Sequence, residues 1–279
     1  MTASKKKKFL VHYLPIYGCF STGLIYVAIG VIAILSFLRI KDGGADETSL
    51  LAYLNGYLAG KALIVIILLG TLSYIVWRIY ETVKDPYEYG REATGMAKRT
   101  GIALSTVADA FIAYAAIEVL FGISNIAENG QPDELREVVR QMLRENWGTW
   151  LVIGIGAVIL VTAVVQFVYG ITKGYGERLA IRHFSSGTKS LIHFLAWYGY
   201  AARGIILGII GFFFIKAGVV ENARYVVNTD KAFDFIGDHV GHVYFILVAV
   251  GTICYGLFMF ALGVTYEPEK RKASTPSSA

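Results

Sequence analysis

The chain has 279 residues, of which 55% are hydrophobic and 17% charged, with a formal net charge of +5 and a mean hydropathy of +0.54. Soluble domains carry about a quarter charged residues, and here the apolar residues fall in long blocks. That excludes an ordinary soluble enzyme, and a nucleic-acid-binding module is not indicated.

The first block follows Lys5-Lys6-Lys7-Lys8. A secretory leader starts similarly, but this apolar run is longer than a leader core and no small-x-small cleavage site follows it. We read a retained first membrane helix over about residues 15–38. Five more blocks meet the roughly 20-residue length that spans a bilayer, at about 61–83, 99–122, 148–172, 195–219 and 241–265. They are rich in Gly, Ala, Ile and Val without β-barrel alternation. In lipid each backbone polar group must be satisfied within the segment, which makes helices the physical reading. Short amphipathic stretches link the spans pairwise. Leu50, Leu51, Tyr53 and Leu54 form the first, and Phe233, Phe235 and Ile236 the third. The middle one predicts a helix over 132–145, with Leu135, Val138, Val139, Met142 and Leu143 on one face. Such a helix lies at the membrane surface. Residues 267–279 read as a disordered tail.

The blocks repeat. Tyr17-Gly18, Gly23, Ile29-Gly30 and Ile34 return as Tyr198-Gly199, Gly204, Ile210-Gly211 and Ile215, a constant shift of 181. Gly70-Thr71-x-x-Tyr74 returns as Gly251-Thr252-x-x-Tyr255 at the same shift. A fainter middle copy starts at Gly95. Repetition of this kind sets the architecture. The expected organisation is a basic N-terminus (1–14), three repeats (15–90, 91–180, 181–266) and the tail (267–279). The expected fold class is all-α integral membrane: six transmembrane helices as three parallel helix pairs around a pseudo-threefold axis. Gly204, Gly208 and Gly211, like Gly23 and Gly30, predict close helix packing within the bundle.

Lys and Arg divide unevenly between the two sides, fifteen on the side of both termini against nine on the other. The positive-inside bias therefore predicts cytoplasmic termini. The expected location is a bacterial cytoplasmic (inner) membrane, with anionic lipid as a partner on the basic face. A membrane-protein partner is a second expected association, and nucleic acid is not one.

The pattern resembles the bacterial membrane-protein family catalogued as domain of unknown function 1206, three consecutive pairs of membrane helices. The matching residues are the Tyr-Gly pairs at 17–18 and 198–199, the Ala202-Arg203-Gly204 start of the fifth span, and the Leu-rich turn ending in Gly before each even span. Ser21-Thr22-Gly23 and Lys98-Arg99-Thr100 depart from Ala-Arg-Gly. The resemblance implies six helices in the cytoplasmic membrane and brings no activity with it.

Ionisable groups at membrane depth are functional candidates. Asp109 lies mid-span on a face with Ser105, Thr106, Ala113 and Ala116. Arg78 and Arg203 are the cations expected to face it. Arg78 shares a face with Thr71 and Tyr74, and its repeat equivalents are Gln166 and Met259. The repeat thus breaks where the chemistry would lie, and Asp109, Arg78, Gln166, Arg203, Thr106 and Tyr74 form the candidate substrate-binding set. Glu118 points to the opposite face from Asp109. His239, His242 and Asp238 combine metal-ligand types, but Gly237 and Gly241 interrupt their helix, so no metal is expected. Cys19 and Cys254 are isolated. Phosphate loops, nucleophile elbows and His-Glu-x-x-His are absent from the sequence, which argues against an enzyme and against a cofactor. Three functions remain: a structural or accessory bundle that binds a partner or lipid, a small-solute or ion transporter with its site around Asp109 and Arg78, and, ranked last, an intramembrane enzyme.

Overall fold

The computed structural model describes residues 3–38, 44–122, 131–181 and 183–266. The side chains of Lys5 to Lys8 and Ser105, and the tail at 267–279, lie outside the described residues. Nine α-helices occur among them: α1 (Ala3–Phe37), α2 (Glu47–Asn55), α3 (Leu58–Lys84), α4 (Ala93–Phe121), α5 (Asp133–Leu143), α6 (Gly148–Ile171), α7 (Ser186–Val219), α8 (Thr229–Phe235) and α9 (His242–Val264). The described residues contain no strand, only an isolated antiparallel bridge between Leu179 and Tyr266. Among the described residues five helices are long and apolar enough to cross a membrane: Tyr13–Phe37 within α1, then α3, α6, α7 and α9. The expected third span falls on α4. Its 29 residues exceed bilayer thickness, but the apolar helix within it is Ile112–Phe121.

The long helices contact one another in chain order. α1 packs on α3, α3 on α4, α6 on α7, α7 on α9, and α9 closes back onto α1. Only α4 and α6 barely touch. Small residues explain the tight seams, because without a Cβ two backbones can approach closely. Gly18 lies against Tyr74 and Gly199 against Tyr255, where an added Cβ would come within 2.5 Å of the Tyr255 Cα. Gly70 faces Ser21, and Gly251 faces Ala202. These are the same contacts in the first and third repeats. The seams between repeats recur too: Gly30 abuts Ala249 and Ile253, while Gly211 abuts Gly156 and Leu160. Gly204 packs on Phe167 and Gly23 on Gly256, but space beside Gly208 is open. Gly208 therefore has no part in helix packing, unlike the expectation.

The connections on the far side from the termini cap the bundle. Leu50 and Leu51 of α2 and Phe233 of α8 join the core of Ile25, Ile29, Ile64, Ile67 and Phe245. Val139 of α5 is buried with Val152 and Phe214, while Leu135 and Val138 stay exposed. Side chains start the short helices: Asp46 accepts from the N–H groups of Thr48 and Ser49, and Asn228 from that of Lys231. This satisfies backbone donors that a helix leaves free.

Two bonds tie the first cap to the third. The Ala45 N–H donates to Asp230 Oδ1 at 2.7 Å, and Thr229 Oγ1 donates to Glu47 Oε2 at 3.2 Å. Burial pushes the Asp230 pKa up to about 6, outweighing the Ala45 hydrogen bond, which favours the ionised form. Burial and the neighbouring Asp46 also raise Glu47. A raised carboxyl stabilises the fold fully below its ordinary pKa of 3.8 and loses that contribution as pH rises through about 6. Thermal unfolding of detergent-solubilised protein should thus shift to lower temperature between pH 4.5 and 7.5, and Asp230→Asn should flatten the profile. A wild-type profile already flat over that window would contradict the assignment.

Candidate functional site

Five helices bring polar groups toward one region. Tyr26 comes from α1, Tyr74 and Arg78 from α3, Asp109 from α4, Arg203 from α7 and Tyr255 from α9. Asp109 stands 16 residues from the start of α4 and 12 from its end, or about 24 and 18 Å at 1.5 Å per residue. Arg203 lies in the middle of α7, because that helix begins at Ser186 rather than at the expected 195.

Each arginine is seated on a tyrosine. Arg78 Nη2 donates to Tyr74 Oη at 2.7 Å, and its guanidinium lies 4.6 Å from the centre of the same ring. Arg203 Nη1 donates to Tyr255 Oη, and its guanidinium sits 5.0 Å from the Tyr26 ring and 4.9 Å from the Tyr255 ring. Tyr26 and Tyr255 meet edge to face at 4.9 Å. Cation–π contact and a phenol acceptor make a partial replacement for water. Tyr74 and Tyr255 are repeat equivalents, each wedged against its glycine. The arginines are not equivalent, since one comes from an even helix and the other from an odd one. The repeated scaffold presents the same hydroxyl twice and two unrelated positions use it.

Asp109 is buried and interacts electrostatically with both Arg78 and Arg203. Among the described residues no carboxylate forms an ion pair with either arginine. The Nε of each is buried without a hydrogen-bond partner among those residues. The structure thus groups Asp109, Arg78, Arg203 and Tyr74. It turns Thr106 back on its own helix, where its hydroxyl donates to the Ile102 carbonyl at 2.8 Å. Gln166 lies half-buried on α6, with no hydrogen bond to the cluster among the described residues.

A second charged pair sits nearer the termini. Arg178, in the turn Gly174–Arg178, donates through Nη2 to Glu81 Oε1 of α3. Both side chains are withdrawn from solvent, at 8% and 0% exposure. Tyr87 lies beneath the guanidinium at 5.5 Å and donates to Tyr266 Oη at 3.1 Å. Neither charge is among the candidate site residues read from the sequence. One signal for the carboxylate was available: Tyr74, Trp77, Arg78 and Glu81 are spaced i, i+3, i+4 and i+7 on one helical face.

The histidines go elsewhere. His239 stacks on Phe235 at 4.8 Å and His242 meets Phe37 at 5.2 Å. A π-helical turn at Ile236–Val240, followed by Gly241 at φ 124°, separates Asp234 and Asp238 from the α9 register of His242. No group of three metal-ligating side chains occurs among the described residues. A small cleft of about 150 Å³ there is lined by Asp230, Asp234, Asp238 and His242 with Phe37 and Phe245. A larger apolar cleft of about 500 Å³ lies between α1 and α3, lined by Tyr17, Phe20, Leu24, Ile66, Leu69 and Phe260 with Ser21, Gly70 and Ser73. Neither includes Asp109, Arg78 or Arg203.

The model of the family described as Domain of Unknown Function (DUF1206) matches three successive segments, residues 17–85, 100–173 and 198–266. The chain belongs to the DUF1206 family. Each matched DUF1206 segment covers one pair of long helices with its linker. A relative from Bacillus subtilis (strain 168), named uncharacterized protein YxxB, is 24% identical over 250 residues, covering 88% of each chain. No solved structure matches the chain.

Proposed function

We propose that this DUF1206 protein is a six-span bundle of the cytoplasmic membrane that binds lipid and a membrane partner, not a catalyst and not an open conduit. α4 is the sixth span, the three helix pairs are related by a pseudo-threefold axis, and both termini are cytoplasmic. The recurrence of the Gly18–Tyr74 and Gly30–Ile253 contacts at Gly199–Tyr255 and Gly211–Leu160 supports the axis. The basic excess on the terminal side supports the orientation.

One observation carries binding over conduction. The arginines are packed on tyrosine rings and hydroxyls, and neither cleft includes them. The transporter reading keeps one specific support, the missing carboxylate partners of Arg78 and Arg203. Native mass spectrometry after gentle solubilisation tests the proposal. The expected species is heavier than the 30.6 kDa chain by a bound lipid or partner. A bare chain under conditions that preserve other membrane complexes would overturn it. Asp109→Asn separates the two readings: unchanged folding and retention of the bound species fit a positioning role for the carboxylate, whereas intact folding with lost uptake of a solute fits transport.

A further inference from the structure

One face of the even helices is treated differently in the middle repeat. In α3 that face holds Gly70, Tyr74 and Trp77, and in α9 it holds Gly251, Tyr255 and Phe258; all six are buried. The matching positions of α6, shifted by 88 from α3, are Val158, Thr162 and Val165. Val158 and Val165 are 43% and 46% exposed, and Thr162 is half-buried. The cause is legible residue by residue. Val158 stands where a glycine lets the helices close, and Thr162 stands where a tyrosine fills a glycine notch. On α4 neither Gly95 nor Gly101 packs against α6: an added Cβ at Gly95 would meet Tyr89, and one at Gly101 would meet nothing within 4 Å. Among the described residues the α4–α6 seam, where the two helices barely touch, is therefore open where the corresponding seams are shut. Val158, Thr162, Val165 and Gln166 give it an apolar wall with one hydroxyl and one amide.

We infer that this seam is a lateral entrance through which a lipophilic oxyanion, an acidic head on an alkyl tail, reaches Arg78 and Arg203. The inference rests on the proposed membrane-embedded binding reading and names its ligand class. The head is chosen by charge. Arg178 is matched by Glu81, which leaves Arg78 and Arg203 facing Asp109. Glu47, at the α2 cap, accepts a hydrogen bond from the Thr229 hydroxyl. Among the described residues no carboxylate pairs with either arginine, and each guanidinium keeps a buried Nε without a partner. Unmatched charge at low dielectric is costly, and charge-assisted bonds to an oxyanion offset it. The tail is chosen by the wall: a bare anion gains nothing from exposed valines in lipid.

The test uses wild-type protein in nanodiscs of neutral phosphatidylcholine, with oleate, phosphatidylglycerol and inorganic phosphate as probes. Oleate or phosphatidylglycerol should bind saturably, and which of the two is tighter identifies the head. Millimolar phosphate should not displace either. Arg78→Gln with Arg203→Gln should weaken binding about tenfold or more, as expected for lost bonds to a charged group, while the double Lys variant retains most of it. Closing the seam by Val158→Gly with Thr162→Tyr leaves both arginines intact and should also weaken binding. A diazirine-tailed acid on unmodified protein should label α6 around Val158–Gln166, which keeps the inference testable if a variant does not fold. Phosphate binding as tightly as the tailed acids, labelling away from α6, or undiminished binding by a folded seam-closing variant would each overturn it. A tailed lipid held independently of both arginines would overturn the ligand assignment while leaving the lipid-binding reading in place.

Discussion

Arg178→Ala should destabilise the protein by about 3–5 kcal/mol, the range for removing one partner from a buried pair. Glu81 is fully enclosed, and Arg178 is its charge partner within a wall of Tyr87, Tyr89, Tyr169 and Tyr266. Removing the arginine strands a carboxylate that cannot recover water, and Glu81→Ala strands the guanidinium in the same way. The pair also joins distant parts of the chain, 97 residues apart in sequence. The stranded charge is the cause, not a missing favourable contact. Glu81→Leu with Arg178→Met should therefore recover most of the lost stability, because replacing both members of a buried pair with apolar groups is often neutral or stabilising. Unfolding in mixed detergent micelles measures all four proteins. Single variants within about 1 kcal/mol of wild type would show that the pair is wet and weak.

Gly199→Val is the second large effect. Even Ala at this position would bring its Cβ to 2.5 Å from the Tyr255 Cα, and the main chain of α9 cannot turn aside as a side-chain tip can. Overpacking of this kind typically costs about 1–3 kcal/mol, occasionally more, and Val adds bulk beyond Ala. The consequence reaches the polar centre, since pushing α9 away moves the Tyr255 hydroxyl from Arg203. Gly18→Val should act alike through Tyr74 and Arg78. Gly208→Ala and Gly101→Ala are the controls: nothing lies within 4 Å of either added Cβ, so both should stay within about 0.5 kcal/mol of wild type. Equal loss from Gly199 and Gly208 variants, measured by the same unfolding assay, would remove close packing as the explanation.

The scaffold was legible because hydropathy and glycine spacing act locally. Five long apolar helices follow from runs that no soluble core requires. The repeat exposed the Tyr-Gly and Gly-Thr-x-x-Tyr motifs, yet not that the glycine of one receives the tyrosine of the other. That pairing is tertiary, and a single helix carries only half of it. α4 was harder, since Lys98, Arg99 and Thr100 occupy its early turns and its apolar helix begins at Ile112. Arg99 spends its charge on the Thr82 carbonyl of α3, at 2.9 Å from Nε, which anchors this end of α4.

The site was half legible. Charge inside an apolar run marked Asp109, Arg78 and Arg203, and their burial together follows from the cost of exposing them to lipid. The Tyr74 seat of Arg78 was legible one turn away on the same face, but the seats of Arg203 were not, because Tyr26 and Tyr255 reach it from other helices. Gln166 was included as the repeat equivalent of Arg78. The same equivalence, carried one and two turns back to Thr162 and Val158, marks the open seam instead.

The central claim is that six helices cross the membrane, with α4 carrying Asp109 into the bundle. Single cysteines at Thr94 and Gln141, both exposed, bracket α4 and its following linker. They would be placed in a chain whose buried Cys19 and Cys254 are replaced. Labelling intact cells with a membrane-impermeant maleimide should modify position 141 and spare position 94, which reacts only after lysis. Reaction at both positions in intact cells, or at neither, would put the two ends of α4 on one side and contradict the account.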